Sequence, residues 1–140
     1  TSASCVGDKQ PADLAVVLGR HNLRASTGQR LGVSEIVLYP GYDVIPYGLA
    51  DIDVNDLALL RLAPAAVIGP DVAPVPLATT ADATRFAAGV LATITGWGNT
   101  SGEEDVSDFP DALQQAQVPV ISNQACQQAY GSQFTVEGGM

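Results

Sequence analysis

Short segments rich in β-branched or alternating apolar residues recur along this chain, and turn-forming residues separate them. The segments span 13–19, 30–40, 57–62, 89–98 and 113–121. Each has the length and the pattern of a β-strand. Gly, Pro, Asn and Asp cluster between them, at 26–28, 39–43, 68–71 and 98–105. Several strands at this spacing predict an all-β barrel or sandwich.

One segment breaks the strand pattern. Residues 122–131 predict a single short helix near 122–130, with Ser122 able to cap it and Gly131 placed to end it. A Pro-rich connector at 63–76 divides the predicted strands into two sets. The sequence therefore predicts two modules, with residues 1–75 in the first and 76–140 in the second.

The charge balance limits the classes of partner. The formal net charge is −9, from 15 acidic and 6 basic residues, and the last basic residue is Arg85. Such a surface repels polyanions, so the sequence predicts neither nucleic acid nor anionic lipid as a partner. No run of 18 or more apolar residues is present, and we therefore expect no membrane span.

Cys5 and Cys126 are the two cysteines of the chain. By themselves they could pair with each other, pair with cysteines outside this chain, or stay free. The sequence has no CxxC, no HExxH and no histidine cluster, so it predicts no structural zinc site. We expect neither a metal nor an organic cofactor.

Three stretches carry a family resemblance. They are NDLALLRL at 55–62, TGWG at 95–98 and LQQAQVPVISNQACQQAYG at 113–131. In this order and spacing, with similar text at 16–23 and 33–43, the chain resembles the trypsin/chymotrypsin-type serine proteases over essentially all 140 residues. The resemblance implies a two-barrel Greek-key fold, present here only in part. Residues 1–75 would be the latter part of the first barrel with the connector, and 76–140 the first part of the second.

The resemblance also implies that one residue of the catalytic triad is present in this chain and that another is replaced. Asp56 matches the Asp of the catalytic triad, which orients the catalytic His. In TSASC at 1–5, Ser4 stands where the family has that His, and Cys5 matches the adjacent half-cystine. A hydroxyl does not titrate near neutral pH, so Ser4 is predicted to be non-functional as a base. As a nucleophile it would need an adjacent base, and Asp56 alone is a weak one.

The resemblance also bears on the remaining candidates. His21 is the only histidine, and the resemblance places it in a surface loop of the first barrel, away from the cleft. Some relatives bind calcium in that loop through acidic side chains, whereas this chain offers Arg20, Thr27 and Arg30 there, so we expect no calcium. Cys5 and Cys126 resemble half-cystines whose partners lie outside the chain.

Two functions follow from the resemblance. In the first, the chain is part of an extracellular, trypsin-like serine endopeptidase that hydrolyses peptide bonds. The chain itself is then expected to be inactive, because it lacks the nucleophile loop and carries Ser4 in place of the His base. The alternative is a non-enzymatic homologue that acts as a protein-binding module, similar to azurocidin-like inactive homologues. The expected partners are a protein or peptide substrate and a complementing polypeptide that completes the barrels. Whether the chain is a fragment or one of two chains stays open.

Overall fold

The computed structural model describes residues 1–47, 50–103 and 107–131. Backbone proximity divides them into two compact units. Unit 1 contains Thr1–Arg20 and Ala25–Ala73, and unit 2 contains His21–Arg24 together with the described residues from Pro74 onward. The division into barrel modules at 1–75 and 76–140 stays a prediction.

The described residues form seven β-strands and one α-helix. The strands are β1 (Ala15–Leu18), β2 (Gln29–Leu38), β3 (Asp43–Tyr47), β4 (Ala50–Val54), β5 (Ala58–Ala63), β6 (Leu91–Gly96) and β7 (Gln114–Pro119). The helix, α1, spans Asn123–Tyr130, and short 3₁₀ turns occur at Pro11–Asp13 and Thr80–Phe86. This content confirms the predicted all-β class with one short helix. Within the described ranges, no helix has the length and apolarity that crossing a membrane requires.

Unit 1 is built on an antiparallel three-stranded sheet with the strand order β1-β2-β5. Buried and exposed residues alternate strictly in the first half of β2, where Leu31 and Val33 are buried and their neighbours are more exposed. Between Val33 and Glu35 the register with β5 shifts by a bulge. Such a bulge bends the strand and strengthens its twist, and the pairing then continues to Leu38 opposite Ala58.

A small core lies where the N-terminal segment meets β5. Ala3, Val6 and Ala58 are at most 5% exposed. Larger apolar side chains pack against this cluster from the surrounding elements, namely Leu14, Ile36, Leu38, Tyr42 and Leu60. The first residues of the chain are therefore anchored by burial and are fixed relative to β5.

The hairpin formed by β3 and β4 was not among the predicted strands. Its register runs from Asp43 opposite Val54 to Tyr47 opposite Ala50. The two segments contain Pro46 and several Asp residues, which are poor strand formers, so the pattern did not indicate strands here. A two-stranded sheet tolerates them because each strand has one edge without a ladder, where Pro needs no N–H.

Unit 2 contains the antiparallel pair β6–β7, in register from Leu91 opposite Pro119 to Gly96 opposite Gln114. After β7, the helix α1 follows the predicted signals. The Ser122 hydroxyl oxygen accepts a hydrogen bond from the Ala125 N–H at 3.1 Å. At the other end, Gly131 has a φ of 95°, and its N–H donates to the Gln127 carbonyl. The predicted helix is therefore confirmed together with both of its caps.

The segment His21–Arg24 belongs to unit 2 through backbone pairing. The Leu23 N–H donates to the Asp111 carbonyl and the Leu113 N–H donates to the His21 carbonyl, each at 2.8 Å. Arg24 also forms an ion pair with the Asp111 carboxylate at 2.6 Å. The resemblance placed this segment in a loop of the first barrel, but its contacts lie with the chain around β7. Nothing in the local sequence indicates these contacts, because the partners are about 90 positions apart.

Candidate active site

Ser4 and Asp56, the two triad-position candidates, are in direct contact. The Ser4 N–H donates to Asp56 Oδ1 at 2.7 Å, and the Ser4 hydroxyl donates to Asp56 Oδ2 at 2.7 Å. Both carboxylate oxygens are therefore engaged by one residue. The structure brings together the two positions that sequence reasoning singled out, although 52 positions separate them along the chain.

The position of Ser4 follows from how the N-terminal segment is held. Thr1 exchanges two backbone hydrogen bonds with Ala58, one in each direction. Ala3 is fully buried, and its carbonyl accepts from the N–H groups of Val6 and Gly7, which closes a helical turn. With Ala3 directed into the core, the next side chain, Ser4, is exposed beside the start of β5.

Asp56 lies in a tight turn between β4 and β5. The preceding residue, Asn55, has a φ of 52°, a left-handed conformation that Asn tolerates better than most residues. Its side-chain amide donates to the Gly41 carbonyl at 2.9 Å, and the Leu57 N–H donates to the Asn55 carbonyl. These bonds fix the direction of the half-buried Asp56 side chain toward Ser4.

The hydrogen bonds of Asp56 control its protonation. The Ser4 N–H, the Ser4 hydroxyl and the Ala3 N–H together hold the pKa of this carboxyl below its usual value, while partial desolvation opposes them. The first of these is the strongest cause. Asp56 is therefore an ionised acceptor near neutral pH. A carboxylate with a lowered pKa takes up a proton poorly, so it does not activate the Ser4 hydroxyl as a nucleophile.

A second polar pair lies on the hairpin next to this site. The Tyr42 hydroxyl donates to Asp53 Oδ1 at 2.8 Å. This bond is the main cause that raises the pKa of Tyr42 to about 12, with desolvation and the charges of nearby Asp residues adding to it. Tyr42 is therefore neutral and acts as a donor. Sequence reasoning missed the pair because it did not predict the hairpin that brings Asp53 to Tyr42.

Both cysteines carry free thiols in the structure. Cys5 is exposed, and its Sγ accepts a hydrogen bond from the Ser2 hydroxyl at 3.0 Å. Cys126 lies on α1 and is partly exposed. The pairing of Cys5 and Cys126 with cysteines outside this chain stays a prediction.

His21 is exposed, as predicted. Its carbonyl accepts hydrogen bonds from the Leu113 N–H and from Trp97 Nε1. Within residues 1–47, 50–103 and 107–131, no group of three or more His, Cys, Asp or Glu side chains is arranged to hold a metal ion.

The TGWG motif ends β6 and borders a concave surface in unit 2. This open depression has a volume of about 590 Å³. Its lining comes from the ends of β6 and β7 and includes Gly96, Asn99, Thr100 and Gln114. None of its lining residues titrates, so this surface can hold a ligand but supplies no acid or base.

Comparisons with known proteins agree on one family. The family model described as Trypsin matches residues 1–140. The chain is 38% identical over 132 residues to a trypsin of Saccharopolyspora erythraea, covering 94% of this chain and 52% of that protein. It is 34% identical over 137 residues to trypsin-1 of Astacus astacus, with the same coverage of 94% and 52%.

A solved structure supports the same relationship at the level of the fold. The structure of neuropsin, a serine protease expressed in the limbic system of mouse brain, matches with a TM-score of 0.76 and 29% identity. The match covers 96% of this chain and 55% of that chain. The described fold is therefore a partial trypsin-like β fold, and the chain spans about half the length of the relatives it matches.

Proposed function

The chain belongs to the trypsin family of serine proteases, and from this membership we propose that it forms part of a secreted endopeptidase that hydrolyses peptide bonds in proteins or peptides. The observation that carries the proposal is Asp56. Its carboxylate is ionised, lies at the turn before β5 and accepts a hydrogen bond from Ser4, which the resemblance puts at the position of the catalytic base. A triad Asp acts by accepting a hydrogen bond from that base and holding it in one orientation.

The 140-residue chain itself is proposed to be inactive. In a triad the imidazole uses one nitrogen to donate to the Asp and the other to take the proton of the nucleophile. The Ser4 hydroxyl performs the first of these tasks, because it donates to Asp56 Oδ2. It has no second atom that accepts a proton near neutral pH. The nucleophile and the oxyanion hole would come from parts of the family domain that this chain does not match.

A serine-directed fluorophosphonate tests the enzymatic proposal. The reagent is applied to the full-length protein that contains these residues, to the same protein after heat denaturation, and to the 140-residue chain. Under this proposal the folded full-length protein is labelled at a Ser outside 1–140, which requires a base that is also supplied from outside 1–140 because Ser4 cannot act as one, and Ser4 is labelled in no sample. A correctly folded full-length protein that stays unlabelled would remove the proposal.

The Ser4–Asp56 contact also favours a second candidate, a non-enzymatic homologue that binds proteins. If Ser4 stands at the base position, the catalytic base is missing and most of the catalytic rate is lost, while Asp56 remains hydrogen-bonded and in place. A net charge of −9 argues against a polyanion and in favour of a protein partner. Peptide-bond cleavage by the full-length protein with Ser4 in place, at rates typical of the family, would rule this candidate out.

Secretion and disulfide pairing form one linked proposal. Cys5 and Cys126 would each pair with a cysteine outside this chain, as secreted proteins commonly do in oxidising compartments. Peptide mapping of the full-length protein without reduction is the test, and both cysteines should be found in bridges. Two free thiols in the secreted protein would contradict it. We also propose a complementing polypeptide that completes the barrels.

A further inference from the structure

Residues 99–101 form a tripeptide that the proposed peptidase function does not use. Asn99, Thr100 and Ser101 match the pattern Asn-X-Ser, in which X is any residue except Pro. In proteins that pass through the eukaryotic secretory pathway, this pattern is the acceptor for an N-linked glycan. None of the other three asparagines of the chain has Ser or Thr two positions later. The 140 residues therefore offer a single acceptor of this kind.

The tripeptide lies shortly after β6, in a surface segment of unit 2. Asn99 and Thr100 are exposed, and Ser101 is half-buried. The segment is held by Asp108, whose carbonyl accepts from the Thr100 N–H at 2.8 Å and whose Oδ2 accepts from the Thr100 hydroxyl at 2.8 Å. Asn99 is therefore presented to solvent from a loop whose two sides are hydrogen-bonded to each other.

The side chain of Asn99 is oriented through its oxygen. Oδ1 accepts from the Ser101 N–H at 3.0 Å and from the Asp108 N–H at 2.8 Å. An amide oxygen has two lone pairs, so these two bonds use its full capacity. An N-linked glycan is attached through Nδ2, which carries two hydrogens, and the attachment replaces one of them. The linkage therefore leaves both bonds of Oδ1 in place.

The bond between the Ser101 N–H and Asn99 Oδ1 is an Asx turn. Such a turn needs only three neighbouring residues, so it can form before distant parts of the chain have folded. Donation to Oδ1 draws electron density from the amide group and makes the Nδ2 hydrogens easier to remove. The loss of one of these hydrogens is what attachment of a sugar requires.

Asn22 provides a comparison within the same chain. Its Oδ1 accepts from the Arg24 N–H at 2.8 Å, which is the same turn. The third residue there is Arg and carries no hydroxyl, so the Asn22 turn does not belong to an acceptor pattern. The turn and the required hydroxyl coincide at residues 99–101.

We propose that Asn99 is an N-glycosylation site of the full-length protein. The co-substrate is a lipid-linked oligosaccharide diphosphate. Nδ2 forms a bond to the anomeric carbon of the first sugar, the bond from that carbon to the phosphate oxygen breaks, and the lipid diphosphate leaves with the electron pair. The displaced Nδ2 proton goes to a carboxylate of the transferase. This inference rests on the secretion proposed above and is independent of peptidase activity.

Peptide mass spectrometry of the full-length protein, recovered from the medium of the cells that produce it, tests the proposal. The peptide that contains Asn99 should carry a glycan, and treatment with peptide-N-glycosidase should leave Asp in place of Asn99. An unmodified Asn99 in the secreted protein would overturn the proposal. A protein found only inside the cells would overturn it through the loss of secretion, and fluorophosphonate labelling reports on the peptidase separately.

Variants of the full-length protein, made in a eukaryotic secretory host, separate the glycan from the turn. Ser101→Ala removes the hydroxyl but keeps the backbone N–H that bonds Asn99, so the glycan should be lost while the circular dichroism spectrum is unchanged. Ser101→Thr keeps a hydroxyl and should keep the glycan.

Two asparagine variants complete the set. Asn99→Gln should abolish the modification, and Asn22→Gln is the matched control that should retain it. If Asn99→Gln fails to fold because the bonds of Oδ1 are displaced, the two Ser101 variants decide the question. A glycan that persists in Ser101→Ala, or one that is lost in Ser101→Thr or in Asn22→Gln, would contradict the assignment.

Discussion

Ser4 is bonded twice to Asp56, with its backbone N–H on one carboxylate oxygen and its hydroxyl on the other, both at 2.7 Å. The backbone bond does not depend on which side chain occupies position 4. A substitution there removes half of the contact, whereas a change of Asp56 removes the charge from both bonds. This distinction allows the structural and the chemical parts of the pair to be separated by mutation.

Acid should destabilise unit 1 partly through Asp56. The pKa of this carboxyl is lowered in the folded state. Its contribution to folding stability is therefore present above the unfolded-state pKa of about 3.9 and is lost as the pH falls through the folded-state pKa. Urea unfolding at a series of pH values from about 6 down to about 3 should show stability falling with pH. Asp56→Asn should flatten that dependence, and Ser4→Ala should flatten it less because the N–H bond remains. An unchanged slope in Asp56→Asn would contradict the assignment.

Restoring an imidazole should not restore catalysis in this chain. Ser4→His would place a titratable base next to Asp56, yet we expect no more hydrolysis of a chromogenic peptide substrate than Ser4→Ala gives. A base without its nucleophile and oxyanion hole lacks the groups that attack and stabilise the carbonyl. Turnover by Ser4→His alone would show that a nucleophile lies within residues 1–140.

Tyr42 should titrate late. Its pKa is raised to about 12 by the bond to Asp53, whereas an unfolded Tyr ionises at about 10. The stability that the Tyr42–Asp53 bond adds to the fold is therefore present below pH about 10 and is lost as the pH rises through about 12. Ultraviolet difference spectroscopy should show that Asp53→Asn moves the ionisation of one tyrosine toward about 10. In Tyr42→Phe that step should be missing, and a spectrum unaffected by either change would refute the pairing.

The left-handed turn before Asp56 should tolerate Gly better than a branched residue. Both Asn55→Gly and Asn55→Val lose the hydrogen bond to the Gly41 carbonyl. Only Val is also strained at a φ of 52°, so it should be less stable than Gly by about 1–2 kcal/mol. Urea denaturation of the two variants measures this difference. Equal stabilities would mean that the turn relaxes without cost.

Part of the fold could be predicted from short stretches of sequence. The alternation along β2 and β5 and the caps of α1 at Ser122 and Gly131 are local signals, and the structure confirms these elements with small shifts at their ends. Hydrophobic periodicity reports which face of an element is buried, so it locates elements well. The β3–β4 hairpin was missed because Pro46 and its Asp residues obscure that signal.

The sequence by itself determined the class of fold, the helix and its caps, and the two residues worth examining as a catalytic pair. Only the tertiary structure decided that Ser4 and Asp56 meet, that Asp53 reaches Tyr42, that His21–Arg24 pairs beside β7, and that the backbone of Thr1 pairs with that of Ala58. Turn and cap signals act over a few neighbouring residues. Contacts between distant positions depend on which apolar surfaces are buried together, and that is a property of the folded chain as a whole.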